Sequence, residues 1–160
     1  MLPQSSDAAR RQSERAPGLP GLGVPASLAV EAHDCLSIKA DRAAVSLARA
    51  VVEASAKEKG VTRGSLIAKI DELHQLGLLR GHIKEAAHEV RFGGNEVAHG
   101  GLTPVDHEAA EEILTLRDEV LNDLFQSPAR VARARQRRLE RSQAGTASVN
   151  TTASEGQPSI

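Results

Sequence analysis

Arg91, Asn95 and His99 follow one another at i, i+4 and i+8. On a continuous helix this spacing places a guanidinium, an amide and an imidazole along one face, and His88 joins the stripe three residues before Arg91. A polar row of this kind beside an apolar one suits a phosphodiester. The Arg would hold phosphate oxygens, and the His would move a proton near neutral pH. The same residues have a structural reading: Asn and His near a helix end cap a turn or bridge two helices, and Arg91 pairs with Glu89 or Glu96. A lone His and Arg do not make a complete mechanism.

A second candidate lies in residues 130–141, which contain six Arg and one Glu. Arg130, Arg133, Arg137 and Arg141 share a helical face and, with Arg138, are the candidate nucleic-acid contacts. The chain has no Trp or Tyr, so base stacking is largely unavailable and any such contact is directed at the backbone. The competing reading is a solvated terminal helix beside an acidic core that repels phosphates. The six histidines (33, 74, 82, 88, 99 and 107) include no i, i+4 pair, so no metal site is expected, and no cofactor either. Gly18-Leu19-Pro20-Gly21-Leu22-Gly23 has the glycine density of a phosphate loop but lacks the preceding strand and the Lys-Ser/Thr ending, and reads as a linker. The one cysteine, Cys35, lies in an apolar helical stretch and reads as a buried, inert thiol.

These side chains need a scaffold, and 160 residues with 40% apolar content provide one modest core. Its material is Ala, Val, Leu and Ile with two Phe, a composition that favours helices. Residues 1–24 and 142–160 are rich in Pro, Gly, Ser, Thr and Gln without periodicity and are expected to be disordered. Residues 25–126 form the packed domain. Pro25 opens a first helix to about Ser37, and Asp41 can cap a second that stops at Gly60. On that second helix Ala44, Ala48, Val51 and Ser55 share a face of small residues that lets a neighbour approach closely. Gly64-Ser65 starts a third helix with the stripe Leu66, Ile70 and Leu73, ending at Gly77. A fourth runs from about Arg80 to His99, its apolar spacing (Ile83, Ala87, Val90, Gly94, Val97) continuing through Gly93-Gly94, where a bend or a break is the alternative. Thr103-Pro104 starts a fifth, with the stripe Ala109, Ile113, Leu116, Val120 and Leu124. Ser127-Pro128 starts a basic helix, residues 127–141. The fold class is therefore all-α: one bundle of about five helices plus a basic C-terminal helix.

The net charge of −1 conceals an asymmetry. Residues 26–126 hold 17 acids against 11 Lys+Arg, a net of −6, whereas residues 127–160 carry a net of +4. The first 24 residues contain no continuous apolar run of the kind a signal peptide needs, and no membrane segment is expected. With a single cysteine, a reducing cytoplasm is the expected location.

Four segments carry a family resemblance: Asp41-Arg42-Ala43-Ala44-Val45-Ser46-Leu47-Ala48-Arg49, Ile70-Asp71-Glu72-Leu73, residues 91–99, and Pro128-Ala129-Arg130. In that order, across about residues 28–138, they resemble the bacterial family called domain of unknown function 4145. That family is similar to the wider HEPN group of helical proteins, many of them dimeric, metal-independent ribonucleases of toxin and antiphage systems and others non-catalytic binding modules. The HEPN pattern places an Arg, often followed by a polar residue, before its His with four to six residues intervening. His99 matches the His and Asn95 the polar residue, but Gly94 stands where the Arg is common, and Arg91 lies one turn earlier. The resemblance implies a homodimer in a bacterial defence or regulatory system, acting as a non-catalytic or weakly catalytic interaction domain. The first alternative is a metal-independent endoribonuclease with His99 as acid/base and Arg91 on the phosphate. The second is a nucleic-acid adaptor working through the basic helix. Partners are accordingly a second copy, RNA or another nucleic acid, or a protein of a defence system.

Overall fold

A computed structural model describes residues 23–100 and 104–152, with side chains through residue 146. Five helices come first: α1 (Gly23–Ser37), α2 (Asp41–Glu58), α3 (Leu66–Gln75), α4 (Gly81–His99) and α5 (His107–Leu121). A π-helical turn, Asn122–Gln126, and a long α6 (Ser127–Thr152) follow. Among the described residues there is no strand. The chain divides into two units, Met1–Gln126 and Ser127–Ile160.

Helix ends fall where local chemistry puts them. Gly60 (φ +84°) follows α2, and the Val61 N–H donates to the Ala56 carbonyl at 2.9 Å. Gly77 (φ +73°) does the same after α3, with Leu78 N–H on the Leu73 carbonyl at 2.9 Å. Both are glycine-terminated C-caps that close the last turn and fold the following apolar residue inward. Ser65 caps α3 by accepting from the Ala68 N–H. Asp41 is not the cap of α2. It sits in the first turn, after Ala40, and its carboxylate is bound by His107 Nδ1 at 2.6 Å, which ties the start of α2 to the start of α5. The expected start of α5 at Thr103-Pro104 is not met: Pro104 lies before the helix, which begins at His107 with Asp106 in the N-cap position, and Thr103 itself lies outside the described residues.

In the first unit α2 is the central helix, packed on α1, α3, α4 and α5. Its buried face is small: Ala44, Ala48, Val51, Val52, Ser55 and Ala56. Small side chains leave little standoff, so the neighbouring backbones come close. The closest approach is at Gly94 of α4. A Cβ there would lie 2.5 Å from Arg49 Cδ and 2.6 Å from Arg49 Cβ, so the aliphatic stem of Arg49 occupies the space an Arg, or any side chain, at position 94 would need. Arg42 reinforces the same pair by donating to the Val97 carbonyl at 2.9 Å. Helix α4 runs unbroken through Gly93-Gly94.

Polar groups fasten the other elements. Arg117 of α5 is completely buried. It donates to the Ala29 carbonyl at 3.2 Å and to His33 Nε2 at 2.7 Å on α1, and to Asp118 Oδ1 at 2.6 Å. Burial lowers the pKa of its guanidinium, and Asp118 opposes that shift. Asp123, buried in the π turn, takes the Arg80 backbone N–H at 2.9 Å and Arg80 Nε at 2.7 Å, placing a carboxylate at the start of α4 where the helix dipole favours one. Lys69 of α3, also buried, donates to Glu53 of α2 at 3.0 Å. Cys35 is half-buried against the core.

The apolar stripe expected to bury α5 is met at Val120 and Leu124 and shifted by one position in the N-terminal part of the helix. Ala110, Leu114, Arg117, Val120 and Leu121 face the core, with Leu124 behind them, while Ala109 is exposed and Ile113 and Leu116 are half-buried. Helix α6 starts at Ser127 as expected and continues to Thr152, eleven residues beyond the expected end at Arg141, so residues 142–152 are helical. Residues 1–22 and 153–160 of the expected disordered tails lie outside the described residues.

Gly94→Ala gains helix propensity of about 1 kcal/mol, but overpacking against Arg49 costs roughly 1–3 kcal/mol, so urea denaturation should show a net loss. Gly93→Ala meets side-chain ends, Ile113 Cδ1 at 3.1 Å and Cγ1 at 3.3 Å with Val45 Cγ1 at 3.6 Å, and should cost less than Gly94→Ala and lie near wild type. The Glu53 carboxyl is held below its ordinary range, first by the Lys69 hydrogen bond and then by the charges of Lys69, Lys57 and Arg49, against a smaller opposing effect of burial. A depressed carboxylate contributes stability above its unfolded pKa and loses it as pH falls through the folded one. Wild-type stability should therefore decline below about pH 5, and Glu53→Gln should be less stable at neutral pH with a flatter acid limb in pH-dependent melts.

Candidate functional site

A continuous α4 meets the condition that the Arg91, Asn95, His99 row requires. Even so, successive i+4 steps drift around an α-helix, and over two of them the drift is roughly 80°. The row therefore winds from one face to another. Arg91 is 8% exposed and its guanidinium lies over the Phe92 ring, 4.0 Å from the centroid. Its buried Nε has no hydrogen-bond partner. Asn95 is half-buried, and His99 is exposed in the last turn. His88, at the other end of the stripe, is turned to Asp71 at 3.3 Å. Together with Lys84, at 3.1 Å, it links α3 to α4, and these bonds, Lys84 foremost, hold the Asp71 carboxyl below its ordinary range.

His99 opens instead onto a cleft of about 830 Å³ formed by α4 and α5, with Arg42 and Val45 contributed by α2. Phe92, Val97, Ala109, Ile113 and Leu116 supply apolar walls. These include the α5 residues that the shifted stripe leaves out of the core. The Phe92 ring is half exposed to the cleft, steadied from behind by Arg91. Four carboxylates edge the cleft, Glu89 and Glu96 from α4, Glu112 from α5 and Asp106 just before α5, against Arg42 and His99. Arg91 and Asn95 are not among its lining residues.

Chemically, the cleft combines one exposed imidazole with an excess of negative charge and an aromatic floor. It is poorly suited to a phosphate and well suited to a cationic, partly apolar group. The sequence marks Glu89 and Glu96 only as ion partners for Arg91, a pairing that is not formed among the described residues, and gives Phe92, Asp106 and Glu112 no functional role. The signal was present in the i, i+4, i+7 series Glu89, Gly93, Glu96, but it looks like an ordinary solvated helix face until α5 is placed opposite.

The other histidines are dispersed. His33 accepts from Arg117, His74 Nδ1 bonds the Leu79 carbonyl at 2.7 Å, and His107 bonds Asp41. Among the described residues, no three His, Cys, Asp or Glu side chains come together in a way that could hold a metal ion.

The second unit is α6. Arg130, Arg133, Arg137, Arg138 and Arg141 are all exposed, and the first two share a face with Arg137 and Arg141 as their spacing predicts. Gln136 to Glu140 at 2.9 Å and Arg141 Nε to the Arg137 carbonyl at 3.3 Å are bonds within the helix. Among the described residues no helix is long and apolar enough to cross a membrane.

Among the described residues Arg91 has an aromatic contact and no ion pair, so Arg91→Met should hold stability within about 1 kcal/mol of wild type or raise it, because an apolar side chain avoids the cost of a buried, unpaired charge. Thermal melts check this, and a large loss would show that the guanidinium has a structural partner. A family model described as domain of unknown function (DUF4145) matches residues 30–140. No curated protein and no solved structure matches the chain.

Proposed function

The chain belongs to the DUF4145 family, and we propose that it is a HEPN-like interaction and dimerisation domain without ribonuclease activity, working in the cytoplasm as part of a bacterial defence or regulatory system. The observation that carries this reading is the separation of the catalytic candidates. His99 stands at an acid-edged cleft from which Arg91 and Asn95 are absent. Arg91 is buried on Phe92, and the position where the HEPN pattern favours an Arg is filled by the stem of Arg49 lying on Gly94. A ribonuclease needs a cation on the scissile phosphate and a proton donor beside it. Here the imidazole faces carboxylates, which would repel that phosphate.

The competing reading, a metal-independent endoribonuclease using His99 and Arg91, makes the opposite prediction for one assay. Purified chain is incubated with mixed RNA without divalent metal, beside a His99→Ala variant whose helicity is checked by circular dichroism. Neither protein should cleave, and His99→Ala should melt within about 1 kcal/mol of wild type, as an exposed helix-end residue does. Cleavage by wild type that disappears in the folded variant would establish the enzyme instead.

A further inference from the structure

From Arg130 to the end of the described side chains of α6 every residue is exposed, including Val131 at 47% and Leu139 at 51%. Helices in proteins owe most of their stability to burying one face. The later turns of α6 contain Gly145, Thr146, Val149 and Thr151, residues of low helix propensity that cannot substitute for packing. The exposed surface also has a pattern. Val131, Arg135, Arg138 and Leu139 are spaced i, i+4, i+7 and i+8, so two aliphatic side chains and two guanidiniums lie on one broad helical face, about 100° wide, and not on a narrow line.

The α4–α5 cleft has the complementary chemistry. Its walls are apolar around a half-exposed Phe92, and its edges carry Glu89 and Glu96 on one side and Asp106 and Glu112 on the other. An aliphatic face flanked by arginines is what a groove of this composition accepts in the helix-in-groove mode. A nucleic acid fits the pair less well, because residues 26–126 carry a net charge of −6 and the chain has no Tyr or Trp to stack a base.

We propose that α6 of one copy seats its Val131, Arg135, Leu139 face in the α4–α5 cleft of a second copy, and that the reciprocal contact closes a two-fold dimer. The proposal rests on the interaction-domain reading and supplies its partner and its surface. A reciprocal exchange uses the same two patches on both chains, so one complementary pair is made twice. Opposite charges at the cleft edge also give the dimer a salt-dependent association.

The test uses full-length chains in two charge-reversed forms. One carries Glu96→Lys and Glu112→Lys in the cleft, and the other carries Arg135→Glu and Arg138→Glu on α6. All four positions are exposed, and circular dichroism checks that each variant is folded. By light scattering after size exclusion, wild type should be a dimer that weakens with added salt. Each variant alone should associate more weakly by roughly tenfold or more, since like charges then face each other. An equimolar mixture should recover a heterodimer, identified by native mass spectrometry, because both contacts are again complementary. The proposal is overturned by a monomeric wild type, by variants that remain dimeric, or by a mixture that stays monomeric. It is also overturned if a labelled single-stranded RNA binds wild type and the cleft variant equally but not the α6 variant, which would make α6 a nucleic-acid contact. A dimer that survives both reversals removes this interface but leaves the interaction-domain reading standing, whereas RNA cleavage in the assay above removes that reading whatever the dimer does.

Discussion

The arrangement of the first unit depends on how closely α2 and α4 approach at Gly94. The buried face of α2 is built from Ala and Val, and α4 presents a glycine, so the stem of Arg49 lies against backbone with no side chain between. This contact fixes the rotation of α4 about its axis. Once Gly94 is pinned to α2, Val90 and Ala87 follow into the core, and Phe92, Glu96 and His99 are turned toward α5. Arg42 on the Val97 carbonyl and His107 on Asp41 hold the same end of the bundle together. A larger residue at position 94 would push the helices apart or rotate α4, and the cleft is what that rotation sets.

Charge is distributed inside this unit in three distinct ways. Arg117 is buried with partners for most of its donors and joins α1 to α5. Lys69 is buried with one carboxylate, Glu53, which Arg49 and Lys57 also approach at 4.0 and 3.8 Å. Arg91 is buried with an aromatic ring as its contact and its Nε unpartnered. A desolvated cation with matched partners fastens two helices. One without them adds little stability, and Arg91 is best understood as backing for the Phe92 ring, on the outer side of the core.

The two units differ in what maintains their helices. In the bundle, glycine caps, the Ser65 cap and side-chain ties such as Arg80 to Asp123 close the ends of elements that an aliphatic core already holds. In α6, helix-forming Arg, Ala and Gln in the first half and bonds within the helix are the visible sources of order. The acidic bundle and the basic helix are therefore unlike in energetics as well as in charge.

The sequence by itself determined the elements. Gly60 and Gly77 as stops, Ser65 and Ser127 as starts, and the stripes of α2, α3 and α4 were legible, because each depends on residues within a few positions of one another; whether α4 continues through Gly93-Gly94 was not, and was decided by the packing of Gly94 on Arg49. Tertiary structure alone decided which faces meet. Of the α5 stripe read as core, Val120 and Leu124 are buried, but Ala109, Ile113 and Leu116 line the cleft, and a buried position fell to Arg117, whose neighbours in sequence give no sign of it. Asp41 was read as a cap and is a tie to α5. The row Arg91, Asn95, His99 was sound as helical spacing and was divided by burial, since an i+4 series winds around its helix and the inner part of that series is chosen by the neighbouring helix. Local propensity and period are encoded residue by residue, but the rotation of one helix against another is fixed by packing between residues far apart in the chain.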